Sequence, residues 1–231
     1  MRLMSDPVVL VHGWGGSFAR TWQSSGFTDL LADAGRDVIG VDLLGHGSAP
    51  KPHEPEAYAD LTTRVLDAMP DESVDAVGFS LGAITLLRIA IDQPHRFRRL
   101  VLAGIGSTLF DDDDRGTRAI IAALEGRGDP DDNIGRLFSQ YAHQPDNDLE
   151  ALTAVMKRPR GQAFTPELVA RATCPTLVVI GDRDFAGPGD PLAAALPDAR
   201  LKVLRNVDHF ATPEAFGFID AALEFIDAVP A

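Results

Sequence analysis

Cysteine is nearly absent: Cys174 stands alone in 231 residues, so no disulfide forms within the chain. A lone cysteine fits a reducing compartment, and a cytoplasmic protein is expected. Long apolar runs are lacking too. None approaches the roughly 20 residues that a membrane-spanning helix needs. The start, Met1-Arg2-Leu3-Met4-Ser5-Asp6-Pro7, carries no apolar stretch of signal-peptide length before the first core-like run. Neither a leader nor a membrane partner is therefore expected. Basic residues are scarce, with 21 Lys and Arg against 34 Asp and Glu, a formal net charge of −13. That deficit argues against a nucleic-acid surface and against docking on anionic membranes. The six histidines show no paired ligand spacing, so no metal is expected. No internal repeat is visible. The low-complexity tract is Asp111 to Asp114. It reads as solvated charge at a helix start or as a cation site, and it lacks the alternate-position pattern of a calcium loop.

What is present is the balance of a soluble globular chain, 45% hydrophobic and 24% charged, of a length that buries one large core. Its centre is Val77-Gly78-Phe79-Ser80-Leu81-Gly82. Ser73 to Phe79 reads as a buried strand. Leu81 to Asp92 reads as a helix apolar almost all round, which places it inside the fold. Between them Gly-x-Ser-x-Gly sets a serine on a tight corner, with small neighbours where backbone comes close. The helix start favours negative charge developing beside that hydroxyl. Strand, turn and helix together make a nucleophile elbow, with a plain structural turn serine as the other reading.

Further strands are expected at Val8–Val11, Asp37–Asp42, Arg98–Gly104, Thr176–Gly181 and Arg200–Leu204. Helices are expected between them. One covers 17–34 with a break at Gly26. One amphipathic helix runs from Tyr58 to Met69. A short one covers Pro191–Leu196. The last is capped by Thr212 with Pro213 at its first position, and has a buried stripe of Phe216, Ile219, Leu223 and Ile226. Alternating strands and helices imply an α/β fold: a mostly parallel, doubly wound sheet with helices on both faces. Residues 106–165 break the alternation. They show three helices, Arg115–Leu124, Asp132–His143 and Asp148–Lys157, and no strand-like run. The organisation expected is a core of residues 1–105, an all-helical lid insertion of residues 106–165, and the rest of the core in residues 166–231. Phe138, Tyr141 and Met156 of the lid, with Phe79, are candidate pocket lining.

In such sheets ligands gather at the carboxyl ends of the strands. The first strand ends in His12-Gly13-Trp14-Gly15-Gly16, without the G-x-G-x-x-G spacing of a dinucleotide site, and no cofactor is expected. This turn is a plain loop or an oxyanion hole in which the Trp14 and Leu81 N–H groups bind a developing alkoxide. His12 reads as a brace for the loop. Leu43 to Ser48 either shapes the pocket wall or is a tight surface loop. A serine nucleophile needs a base, and the base needs a carboxylate. Of the later histidines, His95 ends the nucleophile helix and His143 lies in the insertion, whereas His209 follows the last strand. Asp182 and Asp184 both follow a strand. Asp184 is preferred as freer to project, and Asp182 is held in reserve.

Ser80, Asp184, His209 is the chain order of the α/β-hydrolase fold. From Val8 to the C-terminal helix the sequence resembles that family, in its serine hydrolase branch of carboxylesterases, enol-lactonases and methylesterases. The motifs that carry the resemblance are His12–Gly16, Asp42-Leu43-Leu44-Gly45-His46-Gly47-Ser48, Gly78–Gly82, Gly181-Asp182-Arg183-Asp184 and the His209 loop. The resemblance implies an acyl-enzyme on Ser80, His209 as base and then acid, Asp184 orienting it, and Trp14 and Leu81 as oxyanion hole. The first motif begins at Val8, with no preceding hairpin, so about six strands are expected. Asp208 stands where many members carry glycine, and it either raises the pKa of His209 or points to solvent. The function implied is that of a carboxylic ester hydrolase (EC 3.1.1) acting on a small to medium ester, lactone or thioester. Its partner would be a small-molecule ester-like substrate. Cofactor-free lyases, of the hydroxynitrile lyase or menaquinone-synthase kind, and slow-turnover receptors share the fold and stay open as alternatives. The oligomeric state is left open.

Overall fold

The computed structural model describes residues 7–111 and 114–230. The N-terminal stretch 1–6, and Asp112 and Asp113 of the acidic run, lie outside the described residues. Six strands form one parallel sheet: β1 Val8–Val11, β2 Val38–Val41, β3 Val74–Phe79, β4 Phe97–Ala103, β5 Thr176–Gly181 and β6 Ala199–Leu204, in the order β2-β1-β3-β4-β5-β6. The central strands are short apolar runs with no polar face, as burial under helices on both sides demands.

Strand alternation divides the core in two. Val9, Val11, Ala76, Leu100, Leu102 and Val178 face one way, against α3 (Leu81–Asp92) and other helices. Val8, Leu10, Val77, Val101, Leu177 and Val179 face the other way. That second face is covered by α1 (Phe27–Asp33) and α9 (Phe216–Phe225), with the Trp22, Phe27 and Phe218 rings in contact. Because all strands run in parallel, Val11, Phe79, Ala103, Gly181 and Leu204 end at one edge of the sheet. At the opposite end Asp75 is fully buried, held by Arg36 and by Arg98, whose Nε donates to Oδ1 at 2.9 Å. A charge there is tolerated because two guanidinium groups neutralise it.

Three helices lie between β4 and β5: α4 (Arg115–Leu124), α5 (Asn133–Ala142) and α6 (Leu149–Lys157). Asp132 and Asp148 cap α5 and α6, accepting the Ile134 and Ala151 N–H groups at 3.0 Å each. This bundle is tied to the loop after β1. The Trp14 indole N–H donates to Leu152 O at 3.1 Å, and Asn147 Nδ2 donates to Gly15 O at 3.0 Å. A four-residue helix α7 (Pro166–Val169) and a short α8 (Asp190–Ala195) complete the chain's order around β5.

The break expected at Gly26 is present, and two other expected helices are corrected. Residues 17–34 form a π-helical turn, Ala19–Gln23, and then α1, with Gly26 left-handed at φ 75° between them. The stretch expected as a helix from Tyr58 to Met69 is a 3₁₀ turn, Pro55–Tyr58, followed by α2 (Thr62–Ala68). The cause of the second break is Asp60. Its carboxylate accepts the Thr62 N–H at 2.7 Å and the Thr62 and Thr63 hydroxyls at 2.6 and 2.7 Å, which starts a new helix. Thr212 does not cap the last helix. Its hydroxyl donates back to Asp208 O at 2.9 Å, Thr212–Glu214 is a 3₁₀ turn, and α9 starts at Phe216. Standing first in the helix, Phe216 is 85% exposed, and Phe218 and Ala222 join Ile219, Leu223 and Ile226 in the buried stripe.

Candidate active site

Ser80 sits at the corner between β3 and α3 with φ 51° and ψ −114°, a strained conformation for a residue with a Cβ. Two bonds hold it there: its N–H donates to Ala103 O at 2.8 Å, and its carbonyl accepts the Ile84 N–H at 2.9 Å. The flanking glycines are required by close approach. A Cβ on Gly78 would lie 2.8 Å from the Ala83 backbone, and one on Gly82 would lie 2.3 Å from Val11 O.

His209 reaches this corner from the loop after β6. Its Nε2 lies 3.0 Å from Ser80 Oγ, and its Nδ1 lies 2.9 and 3.0 Å from the two Asp184 carboxylate oxygens. Asp184 is in the loop after β5, with its side chain fully buried, and Oδ1 also accepts the Ala186 N–H at 2.9 Å. Asp182, the reserve acid, is exposed and turned away, accepting the Asn206 N–H at 2.7 Å. Asp208 is exposed and accepts the Ala211 N–H at 3.0 Å, so its carboxylate caps a turn.

The glycine-rich turn after β1 lies beside the serine: a Cβ on Gly13 would be 3.2 Å from Ser80 Cβ. His12 braces this turn. Its Nε2 accepts the Leu43 N–H at 3.1 Å, so its proton is on Nδ1, which donates to Gly13 O at 2.7 Å. The Gly16 N–H donates to the same carbonyl at 3.1 Å. Gly13 O and the Trp14 N–H belong to one planar peptide, so pinning the oxygen fixes the direction of the N–H. Burial lowers the His12 pKa, against the Gly13 bond and the Asp42 charge. His46, buried 5.1 Å from His12 between ring centroids, is pushed down to about 3 by burial and then by His12. Burial alone would raise Asp42, but the N–H groups of Phe18 and Ser48 and the Ser48 hydroxyl donate to it and hold its pKa low. The turn from Leu43 to Ser48 thus packs inward as the second layer of this brace.

Aromatic rings surround His209. Phe79 lies beneath it, with ring centroids 4.9 Å apart, so this candidate lining residue is a floor for the imidazole. Phe185 lies 4.2 Å from the imidazole, and Phe210 meets it edge-on at 5.4 Å. Phe138 from α5 touches Trp14, Phe185 and Phe210, and Tyr141 touches Phe210. Phe185 and Phe210 were missed in the sequence. The available signal was a phenylalanine directly after Asp184 and another directly after His209. Met156 lies elsewhere, in a cleft of 740 Å³ that opens beside the elbow and is also lined by Leu81, Ile84, Leu109, Phe110 and Ile121. Among the described residues no group of three His, Cys, Asp or Glu side chains is placed to hold a metal ion, and no helix is long and apolar enough to cross a membrane.

The alpha/beta hydrolase family model matches residues 8–226. The chain is 30% identical over 235 residues to a pimeloyl-[acyl-carrier protein] methyl ester esterase of Neisseria meningitidis, covering 87% of this chain and 70% of that protein. It is 36% identical over 110 residues to a 2-hydroxy-6-oxo-2,4-heptadienoate hydrolase of Pseudomonas putida, a match that spans 46% of this chain and only 40% of the relative. The crystal structure of a serine hydrolase involved in carbazole degradation superposes with a TM-score of 0.69 at 26% identity, covering 96% of this chain and 91% of that one. The six-stranded parallel sheet, the strained serine corner and these matches agree, and the chain belongs to the α/β-hydrolase family.

Proposed function

We propose that the protein is a serine hydrolase that cleaves a small to medium carboxylic ester, lactone or thioester through an acyl-enzyme on Ser80. The observation that carries this reading is the contact chain Ser80 Oγ, His209 Nε2, His209 Nδ1, Asp184, with steps of 3.0 and 2.9 Å. His209 takes the hydroxyl proton as Ser80 Oγ attacks the substrate carbonyl. Asp184 accepts the Nδ1–H, fixes the tautomer and stabilises the imidazolium. The developing alkoxide is held by the Trp14 and Leu81 N–H groups, at the positive end of α3. His209 then protonates the leaving alcohol or thiol, and water repeats the sequence to release the acid. The α4–α6 bundle acts as a lid of residues 106–165 that keeps water from the acyl-enzyme. A small ester as substrate, and no nucleic-acid partner, accord with the formal net charge of −13. The Neisseria relative is a methyl ester esterase, which supports the ester reading.

The test is hydrolysis of p-nitrophenyl acetate, butyrate and octanoate by the protein and by Ser80→Ala. Turnover that disappears in the variant supports the proposal, and the chain-length profile gauges the pocket. Turnover equal in both would end it.

A further inference from the structure

The cleft begins at Leu81, the residue after Ser80, where its wall is apolar, and it carries cations further along α3. Leu81, Ile84 and Arg88 follow one another along α3, and the seven steps from Leu81 to Arg88 span about 10 Å of helix axis. Arg88 and Arg158 both line the wall of this cleft. The Arg88 guanidinium lies 3.9 Å from the centroid of the Phe164 ring, and its Nη2 donates to Gln162 O at 2.6 Å. Arg158 is half-buried, and its Nη1 donates to Val155 O at 2.7 Å. That bond engages one of the five N–H donors of a guanidinium.

Most other charges of the cleft have partners. Arg118 and Arg160 both meet Asp114, and Lys157 meets Glu125. Asp60 is taken by Thr62 and Thr63. Asp111 lines the cleft as well. Asp92, one turn beyond Arg88, attracts it from a distance and is itself 3.6 Å from Arg171. Among the described residues neither Arg88 nor Arg158 has a carboxylate within ion-pair distance. Burial pushes both guanidinium pKa values down, as it does for cations drawn from water without compensation. Two such cations in one concave wall are unusual in a chain with 13 more acidic than basic residues.

Resting on the hydrolase reading above, the geometry points to a substrate whose acyl chain ends in an oxyanion: an apolar chain runs from Ser80 along Leu81, Ile84 and Met156, and its distal carboxylate or phosphate is received by Arg88 and Arg158. A planar guanidinium matches either group through paired N–H donors. The anionic end sets the distance of the scissile carbonyl from its anchor, so the site selects for length as well as for charge.

The experiment compares monomethyl succinate, adipate and suberate with the neutral methyl butyrate, hexanoate and octanoate, followed by acid release in a pH-stat. An eight-carbon methyl ester bearing a terminal phosphate separates phosphate from carboxylate recognition. A hydrogen-bonded charge in such a site corresponds to about tenfold to a hundredfold in kcat/KM. That advantage is expected for the longer half-esters, and it is expected in KM. The ratio of half-ester to neutral ester falls toward one in Arg158→Gln and Arg88→Gln and is partly kept in Arg158→Lys. A ratio near one in the unaltered protein, or the same ratio in the glutamine variants, overturns the inference. If Arg158→Gln does not fold, Arg88→Gln decides. Calorimetry with suberate on Ser80→Ala and on Ser80→Ala/Arg158→Gln separates the two readings. Binding lost with Arg158, in a protein that hydrolyses no ester, keeps the anion site and ends the hydrolase. Ester hydrolysis without anion preference keeps the hydrolase and ends the anion site.

Discussion

The Trp14 indole N–H donates to the Leu152 carbonyl at 3.1 Å, across 138 residues of chain. This residue thus ties the loop after β1, whose Gly13 lies beside Ser80, to the helical bundle. The loop after β1 and the bundle are set by the same contact.

Replacing Trp14 by Phe keeps an aromatic ring against Phe138 and removes the indole donor. The Leu152 carbonyl, in a buried bond, then has no partner from this side. A loss of about 1–2 kcal/mol in urea unfolding is expected, with a lower kcat from a looser bundle. A variant as stable as the parent would show that the bond to Leu152 adds nothing.

His12 holds the Gly13–Trp14 peptide through Gly13 O. His12→Phe removes the donor to Gly13 O, and a fall in kcat of about tenfold to a hundredfold with KM nearly constant is expected, less than the loss of a whole oxyanion donor. His12→Asn places an amide donor where Nδ1 was, and rescues part of that loss. A rise in KM alone, or no difference between Asn and Phe, would contradict this role.

The two loop acids separate cleanly. Asp184→Asn sets an amide donor against His209 Nδ1 and favours the wrong tautomer, and a fall in kcat of about 10⁴-fold is expected. Asp182→Asn alters only a turn contact to Asn206, and its effect on kcat is expected to stay within about threefold. Equal losses in kcat/KM would mean that the acid is misassigned.

Burial of His46 makes the fold acid-sensitive. Its pKa is about 3 in the folded protein and near 6.5 unfolded, so the unfolded chain binds more protons between those values. Its contribution is complete above about pH 6.5 and is lost as pH falls toward 3, at up to about 1.4 kcal/mol per pH unit. His12, lowered in the same direction, adds to the slope. His46→Leu flattens the stability profile between pH 6.5 and 4 by up to one proton, as read by urea unfolding at several pH values. An unchanged slope would place the proton uptake elsewhere.

Much of this fold was legible because its strands are short apolar runs bounded by turns. The run Thr176–Gly181 has no polar face, and its limits in the sequence are its limits in the structure. The nucleophile helix, Leu81–Asp92, was equally plain, since a helix without a polar side has one place to go. The meeting of Ser80, Asp184 and His209 followed from parallel strands, which gather loops that are 104 and 129 residues from the serine. What stayed hidden depends on side chains that act locally or at long range. Asp60 splits one amphipathic stretch by bonding Thr62 and Thr63, and periodicity does not register that. Asp75 reads as a polar residue in a strand, and only the fold brings Arg36 and Arg98 onto it. Met156 and Phe138, both on apolar lid faces, part company because one turns to the cleft and the other to Trp14.

Intact-mass analysis during turnover of p-nitrophenyl butyrate tests for an acyl-enzyme on Ser80. A transient adduct with the mass of one butyryl group is expected, mapped to the peptide carrying Ser80 and absent in Ser80→Ala. Turnover with no adduct, or an adduct that persists in Ser80→Ala, would contradict it.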